Sequence, residues 1–432
     1  MTDDALFPAE EAGVSAPAIA PAQREEPAGA DRRCVITGIG VVAPTGIGHQ
    51  AHWASTVAGQ CRIGRITAFD ATGFGSCLAG EVPEFDAVEH IDGRVIVQTD
   101  RWTWFGLAAS ALALADAGLD SVSAEPYQLS AVTASASGGN ALGQREIAAL
   151  WATGPRAVSV HQSIGWFYAA SSGQISIRHQ AKGSCSVVVS DGAGGLDAVA
   201  VARRMIRRGQ AAAIVGGTEA PVSPYALTCQ LSNGKLATTR DPALAYRPFH
   251  ADAAGAVIGE GGAMLVVEDL DSALGRGVRK TYAEVASHAA TFDAASDGLG
   301  LARAMTLALD RAGCTPPQVS LILADGAGDP DGDASEAAAI RAVFGRHADT
   351  VAVSVPKSMT GRLCSGAAAL DVATGALAIR HGQLPPTVNV PANIHGLNLV
   401  TQARPADIAC VLVLARGHGG FHSAVVLRRL AI

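Results

Sequence analysis

The chain has 432 residues, of which 49% are hydrophobic and 16% charged, and its formal net charge is −7. A chain of this length and composition can bury a large core, which excludes a disordered or fibrous protein. The acidic balance, without a basic block interleaved with aromatic residues, argues against a nucleic-acid partner.

The eight cysteines are scattered and form no CxxC pair. This spacing favours reduced thiols over a disulfide framework, and it predicts no metal site. No apolar run approaches the roughly 20 residues that a membrane helix needs, and the first residues are acidic. We therefore expect a soluble, cytoplasmic protein that has no membrane partner.

Residues 1–31 are rich in Ala, Pro and Glu without a sustained period, which predicts a flexible N-terminal extension. Beyond them, short β-rich runs alternate with Ala-rich helical segments, a pattern typical of an α/β layered fold. The predicted strands lie near 128–134, 211–216, 262–268, 281–287, 319–324, 351–355, 408–415 and 423–429. The predicted helices lie near 101–118, 143–153, 193–209, 298–312, 333–345 and 363–381.

Two helical segments, GLAASALALADAG and GAAALDVATGALAIR, are apolar on nearly every face. Helices of this kind are expected to lie between two sheets. The apolar strands after Arg33 and near Tyr282 each open a strand–helix series of comparable length. This predicts an internal duplication with an N-terminal half at 32–272 and a C-terminal half at 273–432.

The stretch VVVSDGAGGLDAVAVARRMIRR takes a strand through a turn at Gly192 into a helix. The helix would point its free N–H groups and its positive dipole end at the occupant of the turn. A cysteine there would be a nucleophile of lowered pKa, yet Gly192 has no side chain. Similar loops follow two later strands, LILADGAGDP and VAVSVPKSMTGRLCSG. Near the C-terminus, the Gly-rich turn GHGG can bring backbone N–H groups close to an oxyanion.

Five segments follow one another across roughly residues 33 to 431. They are VITGIGVVAPTGIG, RRMIRRGQAAAIVGGTEA, YRPFHADAAGAVIGEGGAMLVVED, PKSMTG and GHGGFHSAVVLRR. In this order and spacing the chain resembles the ketosynthase family, and the ordered set is far more specific than any one motif. The resemblance implies a thiolase-like fold with five layers, α-β-α-β-α, and duplicated halves. It implies no cofactor.

An active ketosynthase is implied to use a cysteine at the helix start and two histidines in the later loops. Those positions hold Gly192, Asp325 and Arg362. Glycine cannot carry a thioester, an ionised Asp cannot donate to an enolate, and Arg stays protonated. No independent condensing activity is therefore expected. Because buried charges need pairing, Asp325 and Arg362 are predicted to form a partly buried ion pair.

Within the family, the chain is similar to the chain-length factors, or ketosynthase beta subunits, of type II polyketide synthases. The similarity lies in the stretches REIAALWATGPRAVSV, WFYAASSGQISIRH and KSMTGRLCSGAAALD. The resemblance implies a heterodimer with a Cys-bearing ketosynthase alpha subunit, and an acyl carrier protein that brings malonyl and polyketide chains. It also implies that Asn140, Gly143 and Ile147 limit the tunnel for the growing chain. Their modest bulk predicts a roomy tunnel.

Further positions follow from the same resemblance. Lys357 and Glu336 match a charged pair with a structural role, and His418 takes the place of a gating Phe in the Gly-rich loop. Chain-length factors commonly have Gln where this chain has Gly192, so no decarboxylation role is assigned. Cys185 and Cys364 are expected to be core thiols away from the helix-start turn.

Two other functions stay open from the sequence. One is a stand-alone malonyl carrier protein decarboxylase or acyltransferase that uses Ser190, Asp191 or Cys185. The other is a purely structural, stabilising subunit whose tunnel residues do not influence product length.

Overall fold

The structure is a computed structural model that describes residues 32–120, 125–295 and 298–430. The predicted N-terminal extension, residues 1–31, lies outside the described residues. The strands are β1 (Cys34–Ala43), β2 (Gly46–Ile47), β3 (Ile63–Arg65), β4 (Leu78–Gly80), β5 (Leu129–Ala134), β6 (Cys185–Val188), β7 (Ala212–Glu219), β8 (Ile258–Gly259), β9 (Gly261–Asp269), β10 (Ala283–Phe292), β11 (Leu321–Leu323), β12 (Ala352–Ser354), β13 (Gln383–Leu384), β14 (Arg404–Pro405), β15 (Cys410–Gly417) and β16 (Phe421–Arg428).

The helices of the described residues are the six that the Ala-rich periodic pattern predicts, within about three residues, and eight further ones that it does not predict. They are α1 (His49–Val57), α2 (Ala87–His90), α3 (Gly93–Gln98), α4 (Arg101–Ala117), α5 (Asn140–Thr153), α6 (Gln162–Gly165), α7 (Ala170–Arg178), α8 (Gly194–Arg207), α9 (Pro224–Leu231), α10 (Pro242–Ala245), α11 (Leu270–Gly275), α12 (Leu299–Ala312), α13 (Pro330–Phe344) and α14 (Ser365–His381). Local caps mark the ends of the longer helices. The Asp100 side chain accepts a hydrogen bond at the start of α4, and Gly118 ends this helix with a φ of 57°.

The main sheet has the strand order β12-β11-β15-β16-β10-β1-β9-β7-β5-β6, with β2 paired to β1. Its two halves repeat one order, since β10-β16-β15-β11-β12 corresponds to β1-β9-β7-β5-β6. They join where β1 and β10 pair antiparallel, with Val35 opposite Glu284. The repeated order supports the expected duplication. The predicted boundary between 272 and 273 falls inside α11, and this division into halves stays a prediction.

Helices form three layers around the two halves of the sheet. Helices α8 and α14 contact strands of both halves and form the central layer, while α4 with α7, and α12 with α13, cover the outer faces. Residues 365–379 of α14 are all buried. The expected five-layer, thiolase-like architecture is therefore present.

The expected place of α4 between two sheets is wrong, because this helix packs on the outer face of β1, β9 and β7. Its apolar outer side is covered by α2 and α7 instead, so a nearly uniform apolar surface does not require a second sheet. The inner side comes very close to β1. A Cβ atom on Gly40 would lie 1.9 Å from the carbonyl oxygen of Ala109.

Candidate functional site

The strand-to-helix turn predicted at Gly192 is present between β6 and α8. Residues Asp191–Ala193 form a single 3₁₀ turn, and Gly192 lies at the edge of a cleft of about 600 Å³. A Cβ atom at this position would lie 2.4 Å from the carbonyl oxygen of Arg416. Real Cβ atoms essentially never come so close to another heavy atom. The turn therefore has no room for a side chain unless the backbone at the end of β15 moves.

The Gly-rich loop that follows β15 is fastened to this turn. The His418 N–H donates to Asp191 Oδ2 at 2.6 Å, and the Ser365 hydroxyl donates to the Asp191 carbonyl at 2.8 Å. Asp191 itself has a positive φ of 49°. His418 is exposed and lines the cleft. Its position in a gate loop stays a prediction.

Asp325 and Arg362 form the predicted ion pair beneath the turn. Two parallel contacts join them, Nη2 to Oδ1 at 2.9 Å and Nη1 to Oδ2 at 3.2 Å. The Asp325 side chain is 4% exposed, whereas the Arg362 side chain keeps 26% of its surface accessible. Burial alone would raise the pKa of Asp325, but the charges of Arg362, Arg416 and Lys357 outweigh it and hold this pKa well below its usual range.

Arg416 is a second cation at the same carboxylate, and the sequence analysis missed it. Its Nε lies 3.2 Å from Asp325 Oδ2, and its backbone N–H donates to Asp325 Oδ1 at 3.1 Å. The same guanidinium reaches Glu336 Oε2 at 3.1 Å. One signal could have pointed to it, because the apolar run VLVLA ends in an arginine directly before the GHGG turn. A charged side chain at the end of a buried strand needs a charged or hydrogen-bonding partner.

The expected charged pair of Lys357 and Glu336 is not formed. The Lys357 ammonium binds Asp371 of α14, and it also donates to a backbone carbonyl at 3.2 Å. Glu336 accepts two backbone N–H groups from the loop after β11, each at 2.8 Å, and pairs with Arg416. Because Arg416 occupies the carboxylate of Glu336, each member of the expected pair has a different partner. Both residues remain part of one buried charge network.

Ser190 and Asp191 do not form a nucleophile with its base. The Ser190 hydroxyl donates to Asp197 at 2.6 Å, and His288 Nε2 lies 3.0 Å from the other oxygen of Asp197. A serine nucleophile needs the imidazole as its own acceptor, and here the carboxylate stands between them. The contacts of Ser190 and His288 with Asp197 connect the turn with β10. Cys185 is exposed on β6, the last strand of the sheet, so the expectation of a core thiol is wrong for this residue.

Cys364 lies outside the turn at Gly192, but it stands at the start of another helix. It is the N-cap of α14, has a φ of 46° and lines the cleft. Since α14 is the counterpart of α8 in the duplicated fold, the internal repeat was the signal that could have placed it. Burial first, and then the charges of Glu219 and Asp191, raise the pKa of Cys364 well above its ordinary value. A thiol that stays protonated is a poor nucleophile.

The three predicted tunnel residues lie on α5, but their surroundings differ. Asn140 begins the helix, lines the cleft and donates to the Ser137 hydroxyl. Ile147 is 51% exposed and does not line the cleft. Gly143 is buried, and a Cβ atom on it would lie 2.9 Å from Cδ1 of Trp166. The open space expected at Gly143 is therefore absent, because the Trp166 indole fills it.

Large apolar side chains are exposed around the same helix, on α5, α6 and the segment that joins and follows them. We call this set the apolar face. Its members are Ile147 (51% exposed), Leu150 (36%), Trp151 (83%), Val160 (85%), Ile164 (40%), Trp166 (48%) and Phe167 (53%). Exposed apolar patches of this kind mark interaction surfaces.

Neither a metal cluster nor a membrane helix is found in residues 32–120, 125–295 and 298–430. No group of three or more His, Cys, Asp or Glu side chains in these ranges could hold a metal ion. No helix in the same ranges is long and apolar enough to cross a membrane. All eight cysteines are free.

Comparison with known families identifies the class of protein. Residues 31–273 match the beta-ketoacyl synthase N-terminal domain, and residues 281–391 match the beta-ketoacyl synthase C-terminal domain. The chain belongs to the beta-ketoacyl synthase family.

Individual relatives narrow the class further. The chain is 48% identical, over 91% of its length and 98% of the relative, to the tetracenomycin polyketide synthase ketoacyl synthase beta subunit of Streptomyces glaucescens. The solved ishigamide ketosynthase/chain length factor matches with a TM-score of 0.86 and 31% identity, covering 93% of this chain and 100% of that one. A type II polyketide synthase acyl carrier protein in complex with its ketosynthase bound to the hexaketide matches with a TM-score of 0.84 and 27% identity, at the same coverage. These relatives confirm the sequence resemblance to ketosynthase beta subunits, the chain-length factors of type II polyketide synthases.

Proposed function

We propose that this protein is the catalytically silent subunit of a minimal type II polyketide synthase. It pairs with a Cys-bearing ketosynthase alpha subunit and shapes the tunnel into which the polyketide chain grows. An acyl carrier protein brings the malonyl units and carries the chain. The complex works in the cytoplasm, which agrees with the free state of all eight cysteines.

The observation that carries the proposal is a ketosynthase fold in which the positions implied to be catalytic hold a glycine and an ion pair. The Arg416 carbonyl takes the space next to Gly192, and Asp325 is held between two guanidinium groups. Asp325 is a poor proton donor because its pKa is lowered, and the guanidinium of Arg362 cannot serve as a base. The chemistry must therefore come from another subunit.

The apolar face and the edge of the sheet supply a surface for that subunit. Strand β6 ends the main sheet, with β5 on one side and no strand of the described residues on the other. Such an edge presents backbone groups that can pair with another chain. Helix α5, which carries the predicted tunnel residues, also carries part of the apolar face. One partner could thus cover the edge, the face and the tunnel helix together.

Reconstitution with its alpha subunit and acyl carrier protein tests the proposal. We expect a one-to-one complex, and polyketide only when both subunits are present. Trp151→Asp, which places a charge on the apolar face, should abolish the complex. Ile394→Asp, at a residue 60% exposed outside this face, is the matched control and should leave the complex intact.

Two outcomes would contradict the proposal and favour an alternative. A stable homodimer without affinity for the alpha subunit would refute the pairing. Release of CO₂ from malonyl carrier protein by this chain alone would support the stand-alone decarboxylase. If substitutions along α5 leave product length unchanged in an active complex, the subunit is purely structural.

A further inference from the structure

The helix that carries the predicted tunnel residues has an unusual surface at Gly143. This glycine is buried, although Ile147, one helical turn further on, is 51% exposed. The group that covers it is the indole of Trp166. A Cβ atom on Gly143 would lie 2.9 Å from Cδ1, 3.4 Å from Nε1 and 3.8 Å from Cγ of that ring. The indole therefore rests directly on the helix backbone, and only glycine permits this approach.

The backbone of Trp166 is fixed against the start of α5. Its carbonyl accepts the Gly139 N–H at 3.3 Å, and its own N–H donates to the Gln162 carbonyl at 3.2 Å. A Cβ atom on Gly139 would lie 2.0 Å from the Gly165 carbonyl oxygen, so the two segments touch through their main chains. The main chain that carries the ring is thus held against the start of α5 by short local contacts.

The outer side of the indole is accessible, since the side chain is 48% exposed. Its ring centroid lies 6.4 Å from that of Tyr168, and Tyr168 lines the cleft together with Asn140. The surface at Gly143 is therefore supplied by Trp166, which follows α6, and not by a side chain of α5.

We infer that Trp166 is a specificity-determining residue that limits the length of the polyketide chain by forming the wall at Gly143. The inference rests on the proposed function. It replaces the simple expectation that a glycine at position 143 leaves open space. Bulk at this point is set by two positions together, because a larger residue at 143 and the indole of Trp166 cannot occupy the same volume.

The wild-type subunit and three variants test the inference by exchanging bulk between positions 166 and 143. Each is reconstituted with the alpha subunit and the acyl carrier protein. In Trp166→Ala we expect the main product to lengthen by at least one two-carbon unit, because the wall is removed. Trp166→Phe, which keeps an aromatic ring, should shift the distribution less. The double variant Trp166→Ala with Gly143→Phe should return the product toward the wild-type length, because the phenyl ring refills the space.

Complex formation is measured beside product length, so that the two proposals fail differently. If the wild-type subunit binds no alpha subunit, the proposed function fails. If both Trp166 variants assemble and give the wild-type product, the inference about Trp166 is overturned while the pairing stands. If neither variant assembles although the wild type does, Trp166 is an interface anchor and not a chain-length wall, which also overturns the inference.

Discussion

Asp325 accepts hydrogen bonds from both terminal nitrogens of Arg362, at 2.9 and 3.2 Å, in the centre of a buried charge network. The same carboxylate also contacts Arg416, so two cations share one anion, and Arg416 has Glu336 as a second partner. Removing one member of a buried ion pair leaves an uncompensated charge, which costs far more than losing a surface pair. Substitution of Asp325, the anion that both arginines share, is therefore the most direct test of the network.

We expect Asp325→Ala to lower the free energy of unfolding by about 3–5 kcal/mol, measured by urea denaturation at pH 7. The matched control is Asp349→Ala, which breaks an Asp–Arg pair of the same 2.9 Å length whose side chains are 64% and 42% exposed. That change should cost no more than about 1 kcal/mol. Equal losses in the two variants would contradict the buried-charge explanation.

The contribution of Asp325 should also depend on pH in one direction. Its pKa in the folded protein is lowered, whereas the unfolded chain titrates near the ordinary value of about 3.9. The stabilisation is thus complete above that ordinary value and is lost as the pH falls below it. The difference between wild type and Asp325→Ala should narrow steadily in acid. A difference that stays constant down to pH 2.5 would refute this assignment.

Gly192 and Gly173 provide a matched pair of glycine substitutions. Gly192→Ala places a Cβ atom 2.4 Å from a backbone oxygen, whereas a Cβ atom on Gly173 in α7 meets nothing within 4 Å. We expect Gly192→Ala to destabilise the fold by about 1–3 kcal/mol. Gly173→Ala should be neutral or stabilising by up to about 1 kcal/mol, because alanine favours the helix. Thermal and urea unfolding measure the stability of both variants. A larger loss of stability in Gly173→Ala than in Gly192→Ala would contradict the explanation.

Glu219, at the end of β7, should make stability fall as the pH rises. This fully buried carboxyl accepts the N–H groups of Ala136 and Ser137 in the loop before α5. Burial raises its pKa to about 8, well above the ordinary value of about 4.3 in an unfolded chain. Folding therefore favours the protonated form, and stability declines between these two pH values.

Glu219→Gln keeps the shape of the side chain and removes its titration. We expect the unfolding free energy of this variant to be flatter than that of the wild type between pH 5 and 8. The variant should gain relative stability toward the alkaline end. Parallel curves for the two proteins would show that Glu219 does not titrate in this range.

Cys314 should be the thiol that reacts most readily near neutral pH. Its sulfur lies 3.3 Å from that of Cys410, and the hydrogen bond from this second thiol lowers the pKa of Cys314 to about 7. Alkylation by iodoacetamide, followed by mass spectrometry, should accelerate as the pH passes through about 7. Cys364, whose pKa is raised, should stay slow over the same range. Cys410→Ala removes the donor and should move the acceleration at Cys314 to higher pH.

Most of the fold could be predicted because its signals are local. The long helices and strands have clear apolar periods, and the structure places them within a few residues of their predicted positions. Helix α4 was assigned to the wrong layer because an apolar surface does not say whether a sheet or other helices cover it. Strand β6 and helix α7 are short, and their patterns are weak.

Site residues could be predicted where an unexpected side chain stands in a recognisable motif. Contacts that depend on the path of the main chain could not be predicted. Asp325 and Arg362 were found because the resemblance to active ketosynthases implies histidines at these two positions, where this chain has two opposite charges. The collision at Gly192 involves a backbone oxygen, which any residue at position 416 would carry. The indole over Gly143 depends on the path of a later segment. Neither contact has a signature in the local sequence.

The backbone oxygen of residue 416 bears on what a single substitution can do at Gly192. Because this oxygen belongs to the main chain, every side chain at position 416 leaves it in place, and a cysteine introduced at 192 would meet it at once. A side chain at 192 therefore requires the end of β15 to shift, although the backbone N–H of Arg416 in that strand is bonded to Asp325. Adding a nucleophile to this subunit is thus a matter of strand position and not of the chemistry of one residue.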